Sequence, residues 1–389
     1  MHKEQNRWEF DNLAKITKIM RAFYALLLLF SFPVLAQEKT MTFEEYDPTS
    51  TLVVPEHIVK KAKFPFIDIH NHQGNMPSQD LAYLVKQMDS LNMKVMINLS
   101  GKGSQRTNSR ESGTEYLIQS AKAGKEKTQN RVLVFTNLNF NDIDNPNWSA
   151  ETVKALEKEV KAGAMGLKIF KDLGLEVKDI KGNRLATNDP RLDPIWAKCG
   201  ELNIPVLIHT GEPISFFDTH DKTNERWLEL KQFPSRARPS SKYPSWKKVM
   251  DEQFDIIRKH PKTKFISAHL AWLGNNLGEL GKLLDTYPNM YTEIGAVIHE
   301  LGRQPKQARQ FMIKYQDRVL FGKDIWNPSE YYTYFRLLET GDEYFPYYRK
   351  RHAFWKIYGL ELPDDVLKKV YYKNALHLLP LVDKSPFPL

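Results

Sequence analysis

Five residues of this chain have the types and spacing of a metal centre, and a sixth could serve it. His70 and His72 stand two residues apart in PFIDIHNH. In an extended strand, side chains at i and i+2 leave the same side, so the two imidazoles project together. His209 stands in PVLIHTG, His269 in FISAHLAW and Asp324 in FGKDIW, while Lys168 stands in MGLKIF. Imidazole nitrogens and a carboxylate are donors that a divalent ion accepts. A site with one open position activates water near neutral pH or stabilises negative charge on a substrate. A lone His-x-His pair is more often satisfied by backbone or water. Four histidines and an aspartate, each closing an apolar run, favour a shared ion.

Something must bring these distant residues together. Apolar runs recur at 65–70, 94–100, 131–140, 165–170, 205–211, 264–270, 290–297 and 318–326. Between them lie amphipathic stretches such as QDLAYLVKQMDSL, SAETVKALEKEVKAG and NNLGELGKLLDTY. Strands of this kind alternating with helices predict a parallel sheet covered by helices. Eight of them match the usual size of a (β/α)8 TIM-like barrel, roughly 250 residues. Such a barrel collects its chemistry at the C-terminal ends of its strands. From His72 to His209 is 137 residues over four βα units, and from His269 to Asp324 is 55 over two. The interval between His209 and His269 holds a long insertion, 212–245, rich in aromatics, proline and charge, which should lie over the active face. A doubly wound open sheet is the alternative, but no GxGxxG or Walker sequence follows any of the strands. C-terminal helices, with Val366, Val370 and Leu376 as apolar positions, should pack on the barrel.

Composition narrows the setting. The chain of 389 residues carries a formal net charge of +9, with no zinc finger or dense basic stripe that would suit nucleic acid. Its one cysteine, Cys199, excludes an internal disulfide and a cysteine-rich metal site. The run AFYALLLLFSFPVL after Arg21, with Val34 and Ala36 as the small residues of a cleavage site, reads as a signal peptide over 1–36. Met20 is an alternative start. The expected organisation is that leader, a linker over 37–63, and the barrel over 64–389. The expected protein is exported, periplasmic or secreted, without a stable membrane anchor, and a homodimer is compatible with it.

IDIHNH, PVLIHTG, FISAHLAW and FGKDIW together resemble the amidohydrolase superfamily, in the branch of aminocarboxymuconate semialdehyde decarboxylase and metal-dependent lactonases. The resemblance covers roughly residues 64 to 380. It implies one divalent metal, usually zinc with manganese as the alternative, held by His70, His72, His209 and Asp324. It implies His269 as a catalytic base or electrostatic assistant, and Asp324 as the group that moves protons. In two-metal members a strand-four lysine is carboxylated. Lys168 could be that residue, could bind a substrate carboxylate, or could pair with Glu212; the one-metal resemblance favours the latter two.

The expected reaction is hydrolysis of a lactone, ester or amide in a carboxylated small molecule or sugar derivative. A lyase of the same fold, dehydrating uronate-containing oligosaccharides or decarboxylating an acid, is the alternative. A non-catalytic binding barrel comes third. Glu212, Trp272, Glu293 and Arg303, with Phe216, Phe217, His220, Trp227, Arg236 and Arg238 of the insertion, are the further residues placed to meet a substrate. Aromatic faces and arginine forks suit an anionic small molecule or oligosaccharide.

Overall fold

Eight apolar runs form eight parallel strands: β1 Phe66–Asn71, β2 Met93–Asn98, β3 Val132–Asn137, β4 Ala164–Ile169, β5 Val206–Ile208, β6 Phe265–Ser267, β7 Met290–Glu293 and β8 Val319–Leu320. Each pairs with the next in chain order. The ends meet where the Ile69 amide donates to the Phe321 carbonyl at 3.0 Å and Asn71 bridges to Asp324. This is a (β/α)8 barrel, as the alternation of runs predicted. The described residues of the computed structural model are 15, 17–18, 20–21, 40–103, 113–352 and 354–388.

The helices of the first half are α1 Leu81–Leu91, α2 Thr114–Thr128, α3 Trp148–Lys161, α4 Asp193–Glu201, α5 Trp227–Gln232 and α6 Trp246–Lys259. Those of the second half are α7 Leu277–Thr286, α8 Ile298–Gly302, α9 Pro305–Lys314, α10 Tyr331–Glu339, α11 Asp364–Lys368 and α12 Asn374–Leu378. Helix α1 shows why such stretches fold as they do. The Asp80 side chain caps it by accepting from the Tyr83 amide; Leu81, Leu84, Met88 and Leu91 bury one stripe; Asn92 ends it in the left-handed conformation. Each of those side chains contributes roughly 1.5–3 kcal/mol on burial.

The insertion after β5 is built from one-turn 3-10 segments at Ile214–Phe216 and Pro234–Arg236 with α5 between them. A second excursion follows α10. Strands β9 Phe345–Pro346 and β10 Lys356–Ile357 pair antiparallel and hold a strap whose described residues are 347–352 and 354–355. The C-terminal stretch is two short helices joined by a π-helical turn, Lys369–Lys373, with Val366 and Val370 buried and Leu376 partly so.

The barrel belongs to a compact unit, Thr51–Leu389. Within it the coil before β1 is tied down: His57 gives its amide and Nδ1 to the Asp342 carboxylate at 2.7 and 2.5 Å. The remaining unit, Met1–Ser50, includes a turn in which the Thr42 carbonyl accepts from the Glu45 and Tyr46 amides. The run at 22–35 and the expected cleavage site lie outside the described residues. Among the described residues no helix is long and apolar enough to cross a membrane.

Candidate metal centre

The C-terminal strand ends converge on three imidazoles turned the same way. His70 Nδ1 faces Glu293 Oε1 at 3.0 Å, His72 Nδ1 faces Ser100 Oγ at 2.8 Å, and His209 Nδ1 faces His269 Nε2 at 3.2 Å. With each Nδ1 engaged, each Nε2 is left with its lone pair. The Nε2 atoms of His70 and His209 are buried and have no hydrogen-bond partner. Asp324 Oδ1 lies 3.7 Å from His70 Nε2 and 3.6 Å from His72 Nε2. Donors at about 2.0–2.2 Å from one tetrahedral ion would be spaced by about 3.4 Å, so these three fit a shared divalent cation. Orphaned buried nitrogens, on rings whose other nitrogen is bonded so that the tautomer is fixed, are what a histidine metal site requires. His209 stands one step outside that trio, coupled to it through His269, whose ring centroid lies 4.9 Å from that of His70.

Burial explains the protonation. It pushes His70 and His209 well below the usual imidazole range and His72 to about 4, so all three are neutral donors. Burial also raises Asp324, but the surrounding His70, His269 and His72 outweigh it and hold the carboxyl well below its ordinary value. Glu293, at the end of β7, is the hub beneath the cluster. Its carboxylate accepts from His70 Nδ1, from the His269 amide at 2.7 Å and from the Gly295 amide. A Cβ at Gly322 would overlap its Oε2, so only glycine fits there.

His269 is engaged at both ring nitrogens, Nδ1 to the Gly295 carbonyl at 2.6 Å and Nε2 to His209. It opens a run of four left-handed residues, His269, Leu270, Ala271 and Trp272, with φ from 54 to 56°. That conformation costs roughly 1–2 kcal/mol per residue. It folds the Trp272 ring back to 4.6 Å from His269 and 5.4 Å from His209, with Nε1 donating to the Thr210 carbonyl.

Lys168 lies within β4, fully buried, and its Nζ has no hydrogen-bond partner. Burial lowers it to about 7, while the charges of Asp324 and Glu293 pull it back up. Its expected pairing with Glu212 is not made. Glu212 binds Lys171 at 2.5 Å and Arg238 at 3.3 Å, because Lys171, just past the strand, is the lysine that reaches it. Arg303 is also committed elsewhere, between Glu225 and Glu300 with its guanidinium 3.9 Å from the Trp355 ring centroid. Beside Lys168 and Phe170 opens a cavity of about 660 Å³ that Asn137, Phe140 and Asp172 also line. The Phe170 ring lies 5.7 Å from that of His72.

The insertion and the strap are locked together away from the trio. Glu229 of α5 is buried and binds Arg226, Arg236 and, at 3.3 Å, His352 of the strap. Arg226 Nη1 lies 3.4 Å from His299 Nε2. Sequence reasoning missed Ser100 and this buried cluster. Ser100 was detectable as the polar residue closing the second run; the cluster required knowing how the insertion and the strap meet.

The amidohydrolase family model matches residues 138–381, a span that takes in Lys168, His209, His269 and Asp324. No curated protein matches the chain in sequence. Among solved structures, an uncharacterized TIM-barrel protein from Bordetella bronchiseptica is similar at 15% identity and a TM-score of 0.51, covering 81% of this chain and 98% of that one. A dihydroxybenzoic acid decarboxylase from Polaromonas sp. JS666, solved with bound manganese and the inhibitor 2-nitroresorcinol, is similar at 12% identity and a TM-score of 0.51, covering 84% and 100%.

Proposed function

Since the chain belongs to the amidohydrolase family, we propose that it is a metal-dependent lyase acting on a carboxylated small molecule or sugar acid, with loss of carbon dioxide or water. Lys168 carries this reading. A buried lysine whose Nζ lies over the Phe170 ring but has no hydrogen-bond partner, beside His70, His72, Asp324 and Glu293, calls for an anion supplied by the substrate, which would hold it in the charged form. A carboxylate at the reacting centre is what decarboxylation consumes and what stabilises the carbanion that precedes loss of water.

A divalent ion on His70, His72 and Asp324, with His209 beside them, would supply electrostatic stabilisation of that charge. The chain's own residues do the rest. Lys168 orients the carboxylate. Asp324 relays the one proton the reaction needs, taken from solvent and passed onto carbon as carbon dioxide departs, or taken from carbon and passed to the hydroxyl that leaves as water. His269 is occupied at both nitrogens and so sets the tautomer of His209, while Trp272 shields that pair from water. The fold it shares with a manganese-bound decarboxylase supports the lyase reading.

Hydrolysis is the second reading, favoured by Asp324 itself: at 3.6–3.7 Å from two donor nitrogens it is equally placed to take a proton from an attacking water. Turnover in isotope-labelled water separates the two. The expected product is lighter by one carbon dioxide or one water and carries no solvent oxygen. A product that gains labelled oxygen and the mass of water would make the protein a hydrolase. The reading also includes export after Ala36, supported by the apolar run at 22–35.

A further inference from the structure

Asp68 lies in β1, two residues before His70, and is fully buried. Its Oδ1 accepts from the His70 amide at 3.0 Å and from the Lys323 amide at 3.1 Å. Its Oδ2 accepts from Asn71 Nδ2 at 2.9 Å and from the Tyr331 hydroxyl of α10 at 2.6 Å. Those bonds fill the acceptor sites of an ionised carboxylate. Two of the donors are backbone groups at the metal centre, one belonging to His70 and one to the neighbour of Asp324. A third donor passes the tie on, since Asn71 Oδ1 accepts from the His72 amide at 3.0 Å. One carboxylate thus reaches the backbone around the whole trio, from the β1 side and from the β8 side.

The β8 side needs such a tie. Strand β8 ends at Leu320, so Asp324 stands beyond it. Asp324 has a φ of 84°, a left-handed conformation that a residue other than glycine keeps only where its surroundings impose it. Its amide donates to the His70 carbonyl at 2.6 Å, and Asp68 fixes the amide of the residue before it. From that backbone the Asp324 carboxylate faces Nε2 of both His70 and His72. Glu293 and Ser100 orient the two rings, whereas Asp68 acts on the chain that carries them. We propose that Asp68 is a positioning residue of the metal centre, setting the spacing of His70, His72 and Asp324 through their backbone. This rests on the metal-dependent reading above. Asparagine has the same shape, but its amide group would meet a donor in either orientation: two backbone amides on one side, Asn71 Nδ2 on the other.

Titration of the full chain with cobalt(II) tests this, because the visible absorption bands of a bound cobalt ion report the geometry of its ligands. Asp68→Asn should move those bands at saturating cobalt and weaken cobalt binding by about tenfold or more, as loss of an outer-shell partner does. Tyr331→Phe leaves the charge of Asp68 in place and removes one of its donors. It should move the bands in the same direction by less, and it decides the matter should the asparagine variant fail to fold. A carboxylate that only holds the fold would behave differently. Both substitutions would then lower the urea midpoint of the apoprotein and leave the bands of the folded, cobalt-saturated protein where the parent has them, which overturns the proposal. A parent chain that takes up no cobalt would overturn the metal-dependent reading and this proposal with it. Cobalt binding by the parent, with unaltered bands in the variants, removes this proposal alone.

Discussion

At the scale of single residues, the centre depends on imidazoles whose outer nitrogens are already bonded. His70→Ala removes a donor and should abolish stoichiometric zinc or manganese binding. Glu293→Gln keeps the shape but weakens the partner of His70 Nδ1, and should lower metal affinity by about 10- to 100-fold. His269→Ala should have a similar effect through His209. Titration of the apoprotein with metal measures all three; a Glu293→Gln variant with unchanged affinity would remove the hub role from that carboxylate. The trio itself was legible, because His70, His72 and Asp324 close apolar runs and the pleat puts the first two on one side. The hub was only half legible. Glu293 could be seen at a strand end, but its three donors come from β1, the β6 turn and its own β7 turn, which adjoin only after folding.

At the scale of elements, the insertion is held shut by four groups that all favour the deprotonated form. Burial would raise Glu229, but its His352 hydrogen bond and the charges of Arg226 and Arg236 hold it well below the carboxylate range. Glu300, likewise raised by burial, is brought to about 2 by His299 and Arg303. Burial lowers His299 to about 4, and burial with the charge of Arg226 lowers His352 further. In each case the unfolded or opened state binds the extra proton at a higher pH than the closed one. The stability of the clasp is therefore complete above about pH 6.5 and falls progressively towards about pH 2. Limited proteolysis should cut within 212–245 increasingly as pH is lowered through that window. Glu229→Gln should produce the same cutting at neutral pH, since breaking a buried ion pair costs about 3–5 kcal/mol. Protection that does not change between pH 7 and pH 4 would contradict this account. The aromatic and arginine content of the insertion announced a lid, but not that Arg236 and Arg303 would close it instead of meeting a substrate. That choice depends on Glu225, Glu229 and Glu300, whose positions no local pattern specifies.

At the scale of the molecule, the eight runs and their order were readable because a barrel needs buried strands at regular intervals. Their lengths were less so. The run 264–270 reads as one strand, yet β6 stops at Ser267 and the chain turns away at His269. Hydropathy is blind to that change, since Leu270 and Ala271 remain buried after the strand has ended. The strap was missed for a related reason: β9 and β10 are two residues each, too short for any alternation to show. The strap nevertheless supplies His352 to the clasp.

The turn from His269 to Trp272 has a consequence that lies in the chirality of its building blocks. Four successive residues there adopt the mirror image of ordinary helical backbone, and Ala271 does so with no polar side chain to compensate. For an amino acid of the opposite hand this is the preferred conformation. A protein assembled from synthetic segments with D-alanine at 271 should therefore resist urea better than the same assembly with L-alanine, by about 1 kcal/mol. Glycine at 271, which has no handedness, should fall between the two. A D-alanine protein less stable than its L-counterpart would mean that the neighbouring side chains, rather than the backbone, dictate this turn.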